Sequence, residues 1–345
     1  MKRHLLVVLA ITSLLTGPTV ADTLLVANKT DGTVDLVETA SGESRATLPT
    51  GAGPHEVAVS ADGGTAVVSN YGHRETPGST LTVINVGKAE VLRTIDLGQH
   101  TRPHGMAWLT ERRLAVTTEG SAHLLVVDVQ DGTIVAAIKT VQDTSHMVAV
   151  TPDGKRAFVA NIRSGTVTAI DLTLRRKLGD IATGDGAEGI AVTPDGKHVW
   201  VTNRAADTIS IVDTSTLEIV GTVECKGFPI RIAFTPDGKR ALVSCAKAGE
   251  VAVIDTVARK ELRRGKLDLK PVTDHAKRLF GDRFGESPVP IGLVMAPDGK
   301  SVWVAATQSD VVVLIDTETL EVRGLIQAGR EPDGMGLSTQ DASAS

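Results

Sequence analysis

Thr151-Pro152-Asp153-Gly154-Lys155 returns as Thr193-Pro194-Asp195-Gly196-Lys197 and again as Thr235-Pro236-Asp237-Gly238-Lys239, 42 residues apart each time. A fourth copy, Ala296-Pro297-Asp298-Gly299-Lys300, follows after 61 residues, so 19 residues are inserted ahead of it. A looser copy stands at Ser60-Ala61-Asp62-Gly63-Gly64, and around 109–113 the turn has decayed to Leu-Thr-Glu-Arg-Arg. Pro-Asp-Gly is a turn for physical reasons: proline presets φ, aspartate bonds back to the backbone, and glycine accepts a positive φ. A fixed period of about forty residues marks a repeat architecture.

The flanks of each turn identify the unit. Gly189-Ile190-Ala191-Val192 precedes the second copy and Val199-Trp200-Val201-Thr202-Asn203 follows it. Thr208–Asp213 then alternates at period two, and Ile219–Val223 supplies a fourth β-branched run. Four short antiparallel strands per repeat make a propeller blade. Second strands end at Asn28, Asn70, Thr118, Asn161, Asn203, Cys245 and Ala306, and first strands begin at His55, His104, His146, Glu188, Ile230, Ile291 and Asp333. Both counts give seven. The chain opens on a second strand near Thr23 and closes on a first strand near Gly334, so the C-terminal strand completes the N-terminal blade and leaves no open sheet edge. The expectation is an all-β, seven-bladed β-propeller of four-stranded antiparallel blades over 22–339, with an insertion at about 265–287 and a short tail at 340–345.

Composition agrees and narrows the function. Hydrophobic residues make up 41% of the 345-residue chain, too many for disorder, and aromatics only 3%. The formal net charge of -5 argues against a nucleic-acid partner, which requires a basic face. Met1-Lys2-Arg3-His4 is a basic start, Leu5–Leu15 is an apolar stretch, and Thr19-Val20-Ala21 offers a small-residue cleavage site. Residues 1–21 therefore read as a signal peptide cut after Ala21, which places the protein in the periplasm or outside the cell. No later apolar run is long enough for a transmembrane helix. Cys225 and Cys245 are the only cysteines; after export they suit either a disulfide or two small buried thiols.

The repeats resemble the YVTN-type propeller repeat of exported bacterial proteins, with Trp200-Val201-Thr202-Asn203 and Phe158-Val159-Ala160-Asn161 in the naming position. The resemblance spans nearly the whole chain. It implies the seven-bladed fold and no particular activity.

Function is better sought where the repeats differ. The seven first-strand starts form an internal control, and around the ring they read Asp333, His55, His104, His146, Glu188, Ile230, Ile291. A purely architectural position repeats; this one places three imidazoles and a carboxylate on neighbouring blades. His55, His104, His146 and Glu188 converging on the axis suit a transition metal, Cu, Fe or Zn. Tyr71 and His73, in a connection five residues longer than its counterparts, join Glu188 and Arg231 as candidates for proton transfer or positioning. Arg163, Arg204, Lys247 and Asp333 are candidate ligand-binding groups, the cationic ones favouring an anion. Glu119 is read as a ligand or a salt-bridge partner.

The insertion reads as one short helix over Asp274–Gly281, capped by Asp274, with Phe280 and Phe284 facing the channel mouth. The repeated asparagines at the ends of second strands, and Asp128, Asp171, Asp213, Asp255 and Asp316 at the ends of third strands, read as turn caps bonding to backbone amides. Three functions are compatible with this pattern: a metal- or small-ligand-binding propeller with metal-dependent chemistry, a lyase or lactonase working by acid–base chemistry without a redox metal, and a non-catalytic binding or scaffold module with a protein partner in the cell envelope.

Overall fold

The computed structural model describes residues 22–342; the expected signal peptide and residues 343–345 lie outside them. Among the described residues, 28 strands form seven four-stranded antiparallel sheets arranged as a ring. The last strand, Pro332–Ser338, pairs with the first, Thr23–Asn28, and completes the N-terminal blade. The seven-bladed propeller and its closure are therefore as the repeat count requires. Beyond Ser338 the chain stays packed: Ala342 is fully buried, and its amide donates to Thr23 Oγ1 at 3.0 Å.

The turns work as their residues dictate. Asp153 Oδ1 accepts from the Lys155 amide at 3.0 Å, and Gly154 has φ +68°. Asp195 and Asp237 repeat the bond at 3.1 and 3.0 Å. In the decayed copy the Thr110 hydroxyl takes over, accepting from the amides of Arg112 and Arg113. The aspartates that end third strands also cap as expected: Asp213 accepts from the amides of Ser215 and Thr216, and Asp316 from those of Glu318 and Thr319.

The strand-end asparagines do something else. Asn161 Nδ2 donates to the hydroxyls of Thr166 and Thr168, and Asn203 Nδ2 to those of Thr208 and Ser210. They tie second strands to third strands through side chains. Only Asn28 meets the expectation, accepting the Gly329 amide at 3.0 Å. The reason is burial: all four asparagines sit inside the sheet, where the neighbouring hydroxyls are the nearest partners.

Apolar strand faces bury between adjacent blades. Leu81, Val83, Leu114, Val116 and Leu125 form one such layer, and Trp200, Ile211, Val243 and Ile254 another. Cys225 and Cys245 belong to the second layer as unbonded, fully buried thiols, with their sulfurs 3.8 Å apart.

Two backbone features recur in every blade and position the site. The residue before each inner strand is left-handed: Gly53, Arg102, Thr144, Gly186, Phe228, Val289 and Glu331, with φ between +54° and +78°. Each inner strand then begins with a bulge. Pro54 pairs with Asn70 and Val57 with Val68, so His55 and Glu56 together oppose Ser69. Equivalent register shifts follow Pro103, Ser145, Ala187, Pro229 and Pro290, and the Pro332 strand shifts likewise. A bulge re-aims side chains at the rim of a sheet, and here it does so at the channel seven times over.

Candidate functional site

Each bulge presents its first residue to the channel mouth. His55, His104 and His146 come from consecutive blades and stand side by side, tilted to one another. Ring centroids lie 4.0 Å apart for His55–His104, 3.6 Å for His104–His146 and 6.4 Å for His55–His146. His104 is the middle ring. It is fully buried, and neither of its ring nitrogens has a hydrogen-bond partner.

The outer two imidazoles are held by carboxylates. His55 Nδ1 lies 3.0 Å from Asp333 Oδ2, and Lys29 Nζ donates to His55 Nε2 at 2.8 Å while standing 3.4 Å from Asp333. His146 Nδ1 bonds to Glu119, whose other oxygen accepts the Tyr71 hydroxyl at 2.5 Å. His146 Nε2 lies 3.4 Å from Glu188. Glu188 is gripped by Arg204 and stands 3.5 Å from Arg231. Arg231 crosses the channel to pair with Glu56, whose blade lies on the other side of the ring. Both side chains are buried.

These contacts set the protonation states. Burial, reinforced by His146 and His55, pushes His104 well below the usual imidazole range and keeps it neutral. Burial opposes charge on His146 too, but Glu119 and Glu188 outweigh it and raise that group. Burial works against the Glu188 carboxylate, yet Arg204, His146 and Arg231 bring it down to about 2. Asp333 is likewise held below the usual carboxylate range, burial being overcome by His55 and Lys29. Burial and the Glu119 carboxylate raise the Tyr71 phenol. Four carboxylates (Glu56, Glu119, Glu188, Asp333) thus face three cationic groups (Lys29, Arg204, Arg231). With neutral imidazoles the cluster is short of positive charge, and a metal cation or a proton on His146 supplies it.

Donor atoms gather in two groups that share His104, and neither group holds all three imidazoles. His55, Glu56 and His104 offer ligand atoms within 4.8 Å of one another, and so do His104, Glu119 and His146. All of these residues except Glu56 line a cavity of about 330 Å³ that opens into a wider vestibule of about 940 Å³.

Of the residues singled out in the sequence, His55, His104, His146, Glu188, Arg231, Tyr71, Asp333 and Arg204 all line the inner cavity. Arg163 reaches its rim, with a side chain 75% exposed. His73 stands exposed in the outer vestibule, and Lys247 is exposed and lines neither space. Tyr71 is carried on rigid backbone, because the long connection extends the hairpin and Gly72 pairs with Pro77. Lys29 and Glu56 are the partners that sequence reasoning missed. A comparison of the seven copies one register further along would have found Lys29: the residue after each second-strand end reads Lys29, Tyr71, Glu119, Ile162, Arg204, Ala246, Thr307.

The two aliphatic ring positions have a use. Ile230 and Ile291 pack with Phe228, Phe284 and Phe280, the last two from the insertion. Leu279 and Phe280 line the cavity. The insertion is not the single helix expected: it forms two short 3₁₀ turns, His275–Lys277 and Gly281–Phe284. Asp274 makes no cap, because its carboxylate is taken by Arg278 and Arg330. So short a segment cannot sustain a helix alone, and it is held instead by the Arg278–Asp310 pair and by the Leu279 amide donating to Glu331 at 2.7 Å.

Residues 117–278 match the family model of the YNCE-like beta-propeller. No curated protein matches the chain. Among solved structures, the chain is similar to a functionally unknown protein from Desulfotomaculum acetoxidans DSM 771, at a TM-score of 0.76 and 15% identity, over 92% of this chain and 99% of that one. It is also similar to Kuenenia stuttgartiensis hydrazine synthase, at a TM-score of 0.68 and 18% identity, over 91% of this chain and 100% of that one. At such identities the likeness speaks for the propeller fold alone.

Proposed function

We propose that this propeller is an exported protein that binds one transition-metal ion, Cu, Fe or Zn, at His55, His104 and His146. The observation that carries the reading is His104: a neutral, fully buried imidazole with neither nitrogen satisfied, placed between two others. An unpaired buried polar group costs roughly 1–3 kcal/mol, a cost that a metal ligand recovers. Neutral imidazole is also the protonation state that ligation requires. Asp333 and Glu119 behind the outer imidazoles supply the carboxylate–histidine pairing that orients ligands and fixes their tautomer. Lys29, now bonded to His55 Nε2, must swing aside for that imidazole to ligate.

The cavity leaves room for a small molecule beside the ion, so metal-assisted chemistry is the enzymatic form of the proposal. The Tyr71–Glu119–His146 chain supports a second reading, in which His146 and Glu188 transfer protons without a redox metal.

The test uses protein recovered from the periplasm of an expressing cell. The expected product begins at Asp22 by mass, carries close to one metal per chain by elemental analysis, and loses it in His104→Ala while the far-ultraviolet spectrum is unchanged. A chain retained in the cytoplasm with Met1 intact would refute export. Protein that takes up none of the three metals on titration would refute the metal centre.

A further inference from the structure

The left-handed residue before each inner strand offers a way to find side chains kept against a conformational preference. Glycine takes that backbone freely, whereas other residues are strained there. Only Gly53 and Gly186 use it; five blades hold a side chain instead. Three of the five serve the insertion. Phe228 packs on Phe280 and Phe284 with centroids 6.3 and 5.0 Å away, Val289 joins the same cluster, and Glu331 accepts the Leu279 amide. Thr144 lines the cavity wall.

Arg102 has no such role. Its guanidinium lies over the Tyr71 ring, 5.0 Å from the centroid, and donates to the Arg74 carbonyl at 2.9 Å. Among the described residues no carboxylate comes within 4.0 Å of it, yet it lines the vestibule. Lys29 approaches the same Tyr71 ring, 5.8 Å from its centroid. Arg163 also lines the vestibule, with only Asp143 nearby, at 4.0 Å. The carboxylates there are engaged: Glu119 by His146 and Tyr71, Glu331 by Thr30 and Leu279. A cationic mouth on a chain of net charge -5 does not follow from composition.

We infer that the vestibule is an oxyanion subsite, in which Arg102, Arg163 and Lys29 hold a small carboxylate or inorganic oxyanion above the three imidazoles. The guanidinium fork of Arg102 matches a carboxylate in geometry, and its cation–π contact with Tyr71 holds it at the vestibule wall. Lys29 links this subsite to the deeper one, because the ammonium that leaves His55 on metal loading has the vestibule above it. The inference rests on the metal reading only for what the anion is held against; the arms of the test separate the two.

Calorimetric titrations of sulfate, acetate and succinate, with neutral succinamide as control, would be run on the full chain with and without added Zn(II). At least one anion is expected to bind and succinamide is not. Arg102→Gly should weaken the anion by about tenfold or more, as loss of a charge-assisted fork does. Its melting temperature should hold or rise, because glycine suits the left-handed backbone. Arg163→Gln should weaken binding less, about threefold, as an exposed charge does. Binding that Arg102→Gly leaves untouched, or failure of every anion to bind wild type, would overturn the subsite. Anion binding that depends on Arg102 in a chain that takes up no Zn(II) would support the subsite and count only against zinc as the metal.

Discussion

His104 is the residue at which stability and use pull apart. Its two unpartnered nitrogens destabilise the metal-free fold, and its depressed pKa adds a pH dependence with a definite sign. The unfolded imidazole titrates at about 6.5, and the folded one well below. As pH falls under about 6.5 the unfolded chain therefore takes up a proton that the native state refuses, and stability drops; above that value the contribution is flat. His146 slopes the other way. Its folded value is raised, Glu119 and Glu188 outweighing burial, so its stabilisation is complete below about 6.5 and fades as pH rises through the folded value. We expect His104→Leu to stabilise the metal-free protein by about 1–3 kcal/mol at pH 7.5 and by more at pH 5.5, read from urea unfolding at the two pH values. A less stable variant at both would mean that the imidazole is satisfied in solution. His104 was legible in the sequence because seven copies of one register could be compared, and an imidazole where others carry isoleucine is not architecture. Glu56 was not, because only a bulge lets the following residue share the channel, and neither proline nor histidine announces a bulge.

At the scale of the strand, the residue after each ring position explains how seven inner strands fit around one axis. It reads Gly334, Glu56, Gly105, Met147, Gly189, Arg231, Gly292. A Cβ on Gly292 would lie 2.1 Å from the Asp333 carbonyl oxygen, and one on Gly189 2.2 Å from that of Ile230. Backbone cannot yield such a distance cheaply, so Gly292→Ala should cost more than about 2 kcal/mol. It should also displace Asp333, so that chemical unfolding and metal affinity suffer together; a variant of wild-type stability would show that the inner strands can slide. The strands themselves were plain in the sequence because period-two alternation between Pro-Asp-Gly turns has few other readings. The insertion was misjudged because Asp274 looks like a helix cap only while the arginines that claim it, Arg278 and Arg330, are out of view.

For the molecule as a whole, the ring is only as closed as its final strand. Pro332–Ser338 covers the edge of Thr23–Asn28 and brings Asp333 to the imidazoles in the same stroke. Removing residues 330–345 exposes a full strand edge. The truncated chain should leave size-exclusion chromatography as aggregate or expanded material rather than as a compact monomer with a lost ligand; a monomeric, cooperatively folding product would show that six blades and a fragment suffice. Closure was predictable from arithmetic alone, because a chain that starts on a second strand owes itself a first one.

The ion pair that Arg231 and Glu56 make across the axis has a kinetic consequence. It lays two buried, oppositely charged side chains across the hole of the doughnut. The cavity that holds the imidazoles has Leu279 and Phe280 of the insertion in its wall. Trimming Leu279 and Phe280 to alanine should therefore speed capture and release alike, changing residence time far more than affinity.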